Sequence, residues 1–141
     1  MTLDLQAHWQ AIYNAVRTGL DAAEFDYVPL LHVESGHGPN SERIAPPFVT
    51  YRDETARTLG TTGAGSLKVL TTGWVFTARS HDLEEALDLA SAVTNALVDA
   101  NFTTTDGYTT TSLELIGDMT LWEPDFEVNA VHLRFQWERS T

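Results

Sequence analysis

The segment His32-Val-Glu34-Ser-Gly-His37 brings two imidazoles and a carboxylate into one short run, the only grouping of metal-ligand types at such spacing. A His-x-Glu core is what a zinc deaminase uses to hold its metal and move a proton. That chemistry also needs a downstream cysteine pair, and this chain has no cysteine. The helical His-Glu-x-x-His pattern is missing too. A metal-dependent enzyme built on His32, Glu34 and His37 therefore stands as an alternative to a plain strand end running into a polar loop. Ser80, His81 and Asp82 are the residue types of a nucleophile, a base and its orienter. A triad draws these from separate segments, so their adjacency predicts a helix cap instead. Gly60-Thr-Thr-Gly63-Ala-Gly65 lacks the lysine of a phosphate loop and precedes a strand, where no helix N-terminus would meet a phosphate. The carboxylates of Glu84, Glu85, Asp88 and Asp99 share one helix face, and a run of that kind is a solvated surface. Neither they nor Glu123 and Asp125, which flank a turn proline, show the opposed environments that separate an acid from a base. The expectation is a protein that is not an enzyme, with no catalytic, cofactor-binding or metal residues.

The elements that would position any site centre on one stretch, an apolar strand passing directly into an amphipathic helix. The strand reads LKVLTTGWVFTAR from Leu67 and the helix reads DLEEALDLASAVTNALVDA from Asp82. At 100° per residue, Leu83, Ala86, Leu87, Ala90, Val93, Thr94, Leu97 and Val98 gather on one arc of that helix. Asp82 with Glu85 resembles a capping box, Ser80 is the other candidate cap, and Asn101 is a plausible stop. Leu70, Trp74, Phe76 and Ala78 alternate onto one side of the strand, and Gly73 suggests a bulge in it. An N-terminal helix spans Leu3 to Leu20, its stripe being Leu5, Trp9, Ile12, Tyr13, Val16 and Leu20. Gly19 is expected to loosen its end.

Tyr27 to Val33 reads as a short edge strand because of Pro29, and residues 48–52 as a second. Long loops are expected at 34–47 and 53–66, the second nearly devoid of core formers except Leu59. Two closing strands, Ser112 to Trp122 and Phe126 to Glu138, are joined by a tight acidic turn, and the first is expected to place Leu113, Leu115, Met119 and Leu121 on one face. The second of these directs Val131, Leu133, Phe135 and Trp137 inward and His132, Arg134 and Gln136 outward. The order α-β-β-β-α-β-β predicts an α+β fold, an antiparallel sheet with two helices packed on one face, in a single domain over residues 1–141.

A chain of 141 residues can build its own core without a disulfide or metal. Its start, MTLDLQAHWQ, has neither the basic nor the apolar region of a signal peptide, and no apolar run is long enough to span a membrane. Net charge is −12, and seven of the eight basic residues are arginine. Such a balance opposes direct phosphate binding, but suits a surface past which DNA slides without adhering. Contacts with partners are expected from the loops and from aromatics carried on the sheet. The candidates are Arg52, Glu54, Arg57 and Leu59 in and around the second loop, Trp122 on a strand, Asp125 in the closing turn, and Leu89. Leu89 lies at the acidic edge of the helix stripe, where a neighbouring subunit could cover it.

The layout resembles the tail terminator, or tail completion, proteins of long non-contractile-tailed bacteriophages. The resemblance spans LDLQAHWQAIYNAVRTGL, the PPFVTYR strand after a Pro/Gly-rich loop, the strand-to-helix unit VLTTGWVFTARSHDLEEALDLASAVTNALVDA, and a hairpin ending in VHLRFQWE. Other neck and head–tail joining proteins share such layouts. The resemblance implies a homohexameric ring in the virion, assembled in the host cytoplasm, that caps the finished tail tube and ends its polymerisation. Its partners would be itself, the tail tube protein and the head–tail connector proteins, with DNA only a passing cargo and no membrane. The 53–66 segment would be an arm toward the tube or a neighbour. A small α+β ligand-binding domain is the competing class.

Overall fold

The computed structural model describes residues 4–32, 44–53, 58–61, 68–98, 103–104 and 106–140. Their order is α1 (Leu5–Ala22), β1 (Leu30–Leu31), β2 (Phe48–Asp53), β3 (Thr58–Thr61), β4 (Lys68–Ser80), α2 (Leu83–Val98), β5 (Thr109–Glu123) and β6 (Val128–Ser140). The strands form one sheet in the order β1-β2-β4-β6-β5, with β3 also paired to β4. This is the expected α+β layout with two differences. Residues 58–61, expected within a loop, are a strand. β1 runs parallel to β2, which makes the sheet mixed. The expected strand from Tyr27 shrinks to Leu30–Leu31, an edge as Pro29 implied.

β2 and β3 lie end to end along one side of β4. Phe48 pairs Arg79 and Asp53 pairs Trp74, then Thr58 pairs Thr71 and Thr61 pairs Lys68. On its other side β4 keeps unbroken register with β6 from Val69↔Ser140 to Ser80↔Asn129, so Gly73 marks no bulge there. The register shifts fall in β5 instead, at Thr110/Ser112 and Leu115/Gly117. The second shift inserts Ile116 and reverses the alternation. Leu115 faces the helices opposite Phe135, whereas Met119 and Leu121 turn to the other face.

The core fills the space between the sheet and both helices. Ile12, Val16 and Leu20 of α1 and Ala86, Leu89, Val93 and Leu97 of α2 meet Tyr51, Trp74, Phe76, Ala78, Val131, Leu133, Phe135 and Trp137. The inward set expected for the last strand is the observed one. Tyr51 stacks on Trp74 and on Phe76, at 5.8 Å in each case, and Phe76 meets Phe135 edge-on at 5.9 Å. In α1 the buried stripe is rotated toward His8, which leaves Leu5 exposed.

Capping is local and clear at three ends. Asp4 accepts from the Ala7 amide at the start of α1. Asp82 accepts from the Glu84 amide, while Ser80 accepts from the Asp82 amide and donates to Glu85, so both candidate caps of α2 act together. α1 does not end at Gly19. It closes through Phe25 N–H to the Leu20 carbonyl and Glu24 N–H to the Asp21 carbonyl, with Glu24 at φ 66 where glycine is usual. Gly19 instead lets the two helices approach, since a Cβ there would overlap the Ala96 Cβ. Gly19→Val is therefore expected to lose about 1–3 kcal/mol of stability despite a better helix propensity. Adding Ala96→Gly to that variant should return part of the loss in a urea titration.

Candidate functional site

The sheet face turned away from the helices carries no helix or strand over it among the described residues. Three rows of paired residues cross it. Phe48, Arg79, Ala130 and Leu121 form the first, Thr50, Thr77, His132 and Met119 the second, and Arg52, Val75, Arg134 and Gly117 the third. The middle of this face is polar yet buried. Arg79 donates from Nε to Glu123 Oε1 at 2.7 Å and from Nη1 to Thr50 Oγ1 at 2.7 Å, and its guanidinium lies 5.5 Å over Phe48. His132 Nδ1 and the Thr77 hydroxyl are 3.0 Å apart. Burial, with Arg79 and Arg52 beside it, pushes the His132 pKa below 6.5 against the pull of Glu123, so the ring is neutral at pH 7.

Toward β5 the polarity changes. Ile116, Met119 and Leu121 stand about half exposed, at 51%, 54% and 39%, beside the guanidinium-bearing Arg52 and Arg134. Gly117 between them supplies no side chain. The result is an apolar groove walled by arginines on a chain of net charge −12. Apolar anchors beside cationic donors are the composition of a protein-contact surface.

The expected contact residues fall into separate places. Arg52 lines this groove. Trp122 is 55% exposed at the far end of β5 opposite Asn129, and Asp125 sits in the turn that follows. Leu59 is in β3, paired with Leu70. Glu54 and Arg57 lie outside the described residues. Leu89 is a correction, being wholly buried. α1 packs along that flank of α2, with Gly19 against Ala96, so the flank that looked like an edge is interior. Of the metal candidates His32 is exposed, its ring 5.2 Å from that of Tyr51, while Glu34 and His37 lie outside the described residues. Among the described residues no three His or acidic side chains gather as metal ligands.

A second cluster was not foreseen. His8, Asp106 and Arg139 are buried together where the start of α1 meets the end of β6. His8 Nε2 lies 2.8 Å from Asp106 Oδ2 and its Nδ1 lies 2.5 Å from Arg139 Nη1. Arginine only donates, so Nδ1 accepts and the imidazole proton sits on Nε2, donated to Asp106. Arg139 also donates to the Tyr108 carbonyl, and Asp106 accepts from the Thr104 hydroxyl and the Asp4 and Tyr108 amides. The bonds from Asp106 to His8 and to the Asp4 amide, and from Arg139 to His8 and to the Tyr108 carbonyl, tie distant parts of the chain together, so the cluster acts as a structural pin. The sequence hint was His8 standing four residues before Ile12 on the apolar stripe.

This pin sets an acid limit on the fold. Burial raises the Asp106 pKa, but the Thr104 hydroxyl, the two amides and His8 outweigh it and bring the carboxyl from 3.8 to about 2. Burial and then Arg139 lower His8 from 6.5, against the opposing pull of Asp106. Both folded values lie below the unfolded ones, so the unfolded chain binds more protons and stability falls as pH falls. The His8 contribution should fade below pH 6.5 and the Asp106 contribution, about 2 kcal/mol, between pH 3.8 and 2. Urea midpoints measured from pH 8 down to about pH 2 check this, and Asp106→Asn should flatten the lower arm.

The architecture is thus an α+β layer with two helices on one face of the sheet and, on the face that carries no helix among the described residues, a basic, apolar groove. Among the described residues no helix is long and apolar enough to cross a membrane. No protein-family model matches the chain, and no curated protein matches it. Among solved structures it is similar to a chain described as from the virion of native gene transfer agent (GTA) particle. The TM-score is 0.70 at 17% sequence identity, over 97% of this chain and 97% of that one. At that identity the likeness is one of fold.

Proposed function

We propose that this chain is a structural component of a tailed, phage-like virion and, within it, the tail terminator. Copies join in a ring, with six as the expected number, that seats on the end of the tail tube, stops further addition of tube subunits and offers its outer side to the head–tail connector. The work is steric and involves no catalytic step or cofactor. One observation carries the reading: the whole fold, end to end, is shared with a chain from a virion, without a large extra or missing element. The tail-terminator layout of the sequence supports the finer assignment. So does the open sheet face, which puts apolar and charged contact residues on a rigid support. A strongly acidic chain lining a channel would let DNA pass without sticking.

The reading is tested by adding the purified chain to tube protein from the same genome as it polymerises. Tubes should stop growing and carry added density at one end in electron micrographs. Tubes that elongate unchanged, with bare ends, would rule out a terminator.

A further inference from the structure

We propose that the groove on the helix-free sheet face receives the first half of α2 from a second copy of this chain, so that copies join head to tail. The inference rests on the ring reading above and names its interface. The groove, about 420 Å³, has Ile116, Met119 and Leu121 as its apolar wall and Arg52 and Arg134 as its cationic walls. Asp118 is the one carboxylate on its lining. The floor is open at Gly117, where an added Cβ would meet nothing within 4 Å.

Its complement is on the same chain. Leu83 and Leu87, one turn apart on α2, are each 43% exposed, although the rest of the apolar arc is mostly buried. Glu84 and Asp88 stand beside them, exposed and one turn apart in the same way. That strip therefore offers apolar side chains with carboxylates alongside, matching a groove that offers apolar side chains with guanidiniums alongside. Carboxylate and guanidinium pair in two parallel hydrogen bonds, which fixes register as well as sign. A contact between two grooves would instead set arginine against arginine.

The two surfaces lie on opposite faces of the layer, because α2 packs on the core face and the groove opens on the other. One copy thus uses its groove on one neighbour and its helix on the next. Such a heterologous contact closes into a ring when the rotation between copies permits.

A charge swap tests the interface. Arg52→Glu with Arg134→Glu makes both surfaces of a copy acidic, and Glu84→Arg with Asp88→Arg makes both basic. Each variant alone should associate at least about tenfold more weakly than the natural chain in sedimentation velocity. Mixed in equal amounts, they should assemble again, alternating in an even-numbered ring. Gly117→Trp, which fills the groove from an open position, should also block assembly. If the groove variant does not fold, the α2 variant, altered only at exposed positions, and Gly117→Trp decide the matter. Variants that assemble like the natural chain, or a mixture that stays dissociated, would overturn this interface while leaving the ring intact. A natural chain that is monomeric at every concentration would overturn the self-contact, and the tube-arrest assay would still judge the virion role separately.

Discussion

Arg139→Ala is expected to remove about 3–5 kcal/mol of folding stability, because it takes a charged donor out of a buried network and leaves its acceptors and the Asp106 carboxylate uncompensated. The guanidinium is 1% exposed, lies 5.3 Å over the Trp137 ring and holds both His8 and the Tyr108 carbonyl. Without it, the His8 Nδ1 lone pair and that carbonyl lose their buried donor, and Asp106 loses the nearby positive charge that offsets its own. A domain holds only about 5–15 kcal/mol in total. The variant should therefore melt well below the natural chain. Arg139→Lys should recover only part of the loss, because one ammonium cannot reach both acceptors in the fork geometry. A drop of under about 1 kcal/mol in urea unfolding would mean that the pin is not what joins α1 to β6.

Phe76→Ala is expected to cost a similar amount, about 3–5 kcal/mol, for a different reason. Phe76 is 1% exposed in the middle of the sheet, stacked on Tyr51 and edge-on to Phe135, in a neighbourhood of rigid rings that cannot close over the void. The control is Ile116→Ala on the other face. Its side chain stands half exposed beside the groove, so its loss should change stability by under about 0.5 kcal/mol. The pair of measurements separates residues that hold the fold from those available to a partner. Equal losses at both sites would show that the helix-free face is covered within the monomer.

The residues that could be read from sequence were those whose environment repeats with the period of their own element. Phe76 and Ala78 alternate on a central strand, as do Val131, Leu133, Phe135 and Trp137 on the last, and all of them are buried as their pattern implies. The misreadings have three separate causes. Ile116 is an extra residue in β5, and a bulge reverses every later side chain, so Met119 and Leu121 could not be placed with Leu115. Glu24 ends α1 in a left-handed conformation that suits glycine, which made Gly19 look like the terminator when it is a helix contact. Leu89 was misjudged because one helix's periodicity says nothing of the second helix beside it. For the candidate site, Arg52 and the outward His132 and Arg134 were legible on their separate strands. That they share one groove with Met119 and Leu121 depends on register, which only the fold supplies. The pin of His8, Asp106 and Arg139 joins residues from the two ends of the chain, and no local pattern connects them.

The acidic face of α2 gains meaning from the same comparison. Glu84 and Asp88 need no partner within the fold to be solvated, but Leu83 and Leu87 beside them are apolar surface left in water. In the proposed interface, the groove on the helix-free sheet face is their counterpart, and a solvated helix face becomes one side of a joint between copies.

The central claim, that this chain ends the tail tube, is tested most directly by electron microscopy of particles produced with and without its gene. With the gene, tails of uniform length should be joined to heads, and antibody against this chain should label the junction. Without it, the account predicts tubes of unregulated length and heads lacking tails, restored by supplying the chain in trans. Tails of normal length joined to heads in the absence of the gene would contradict it.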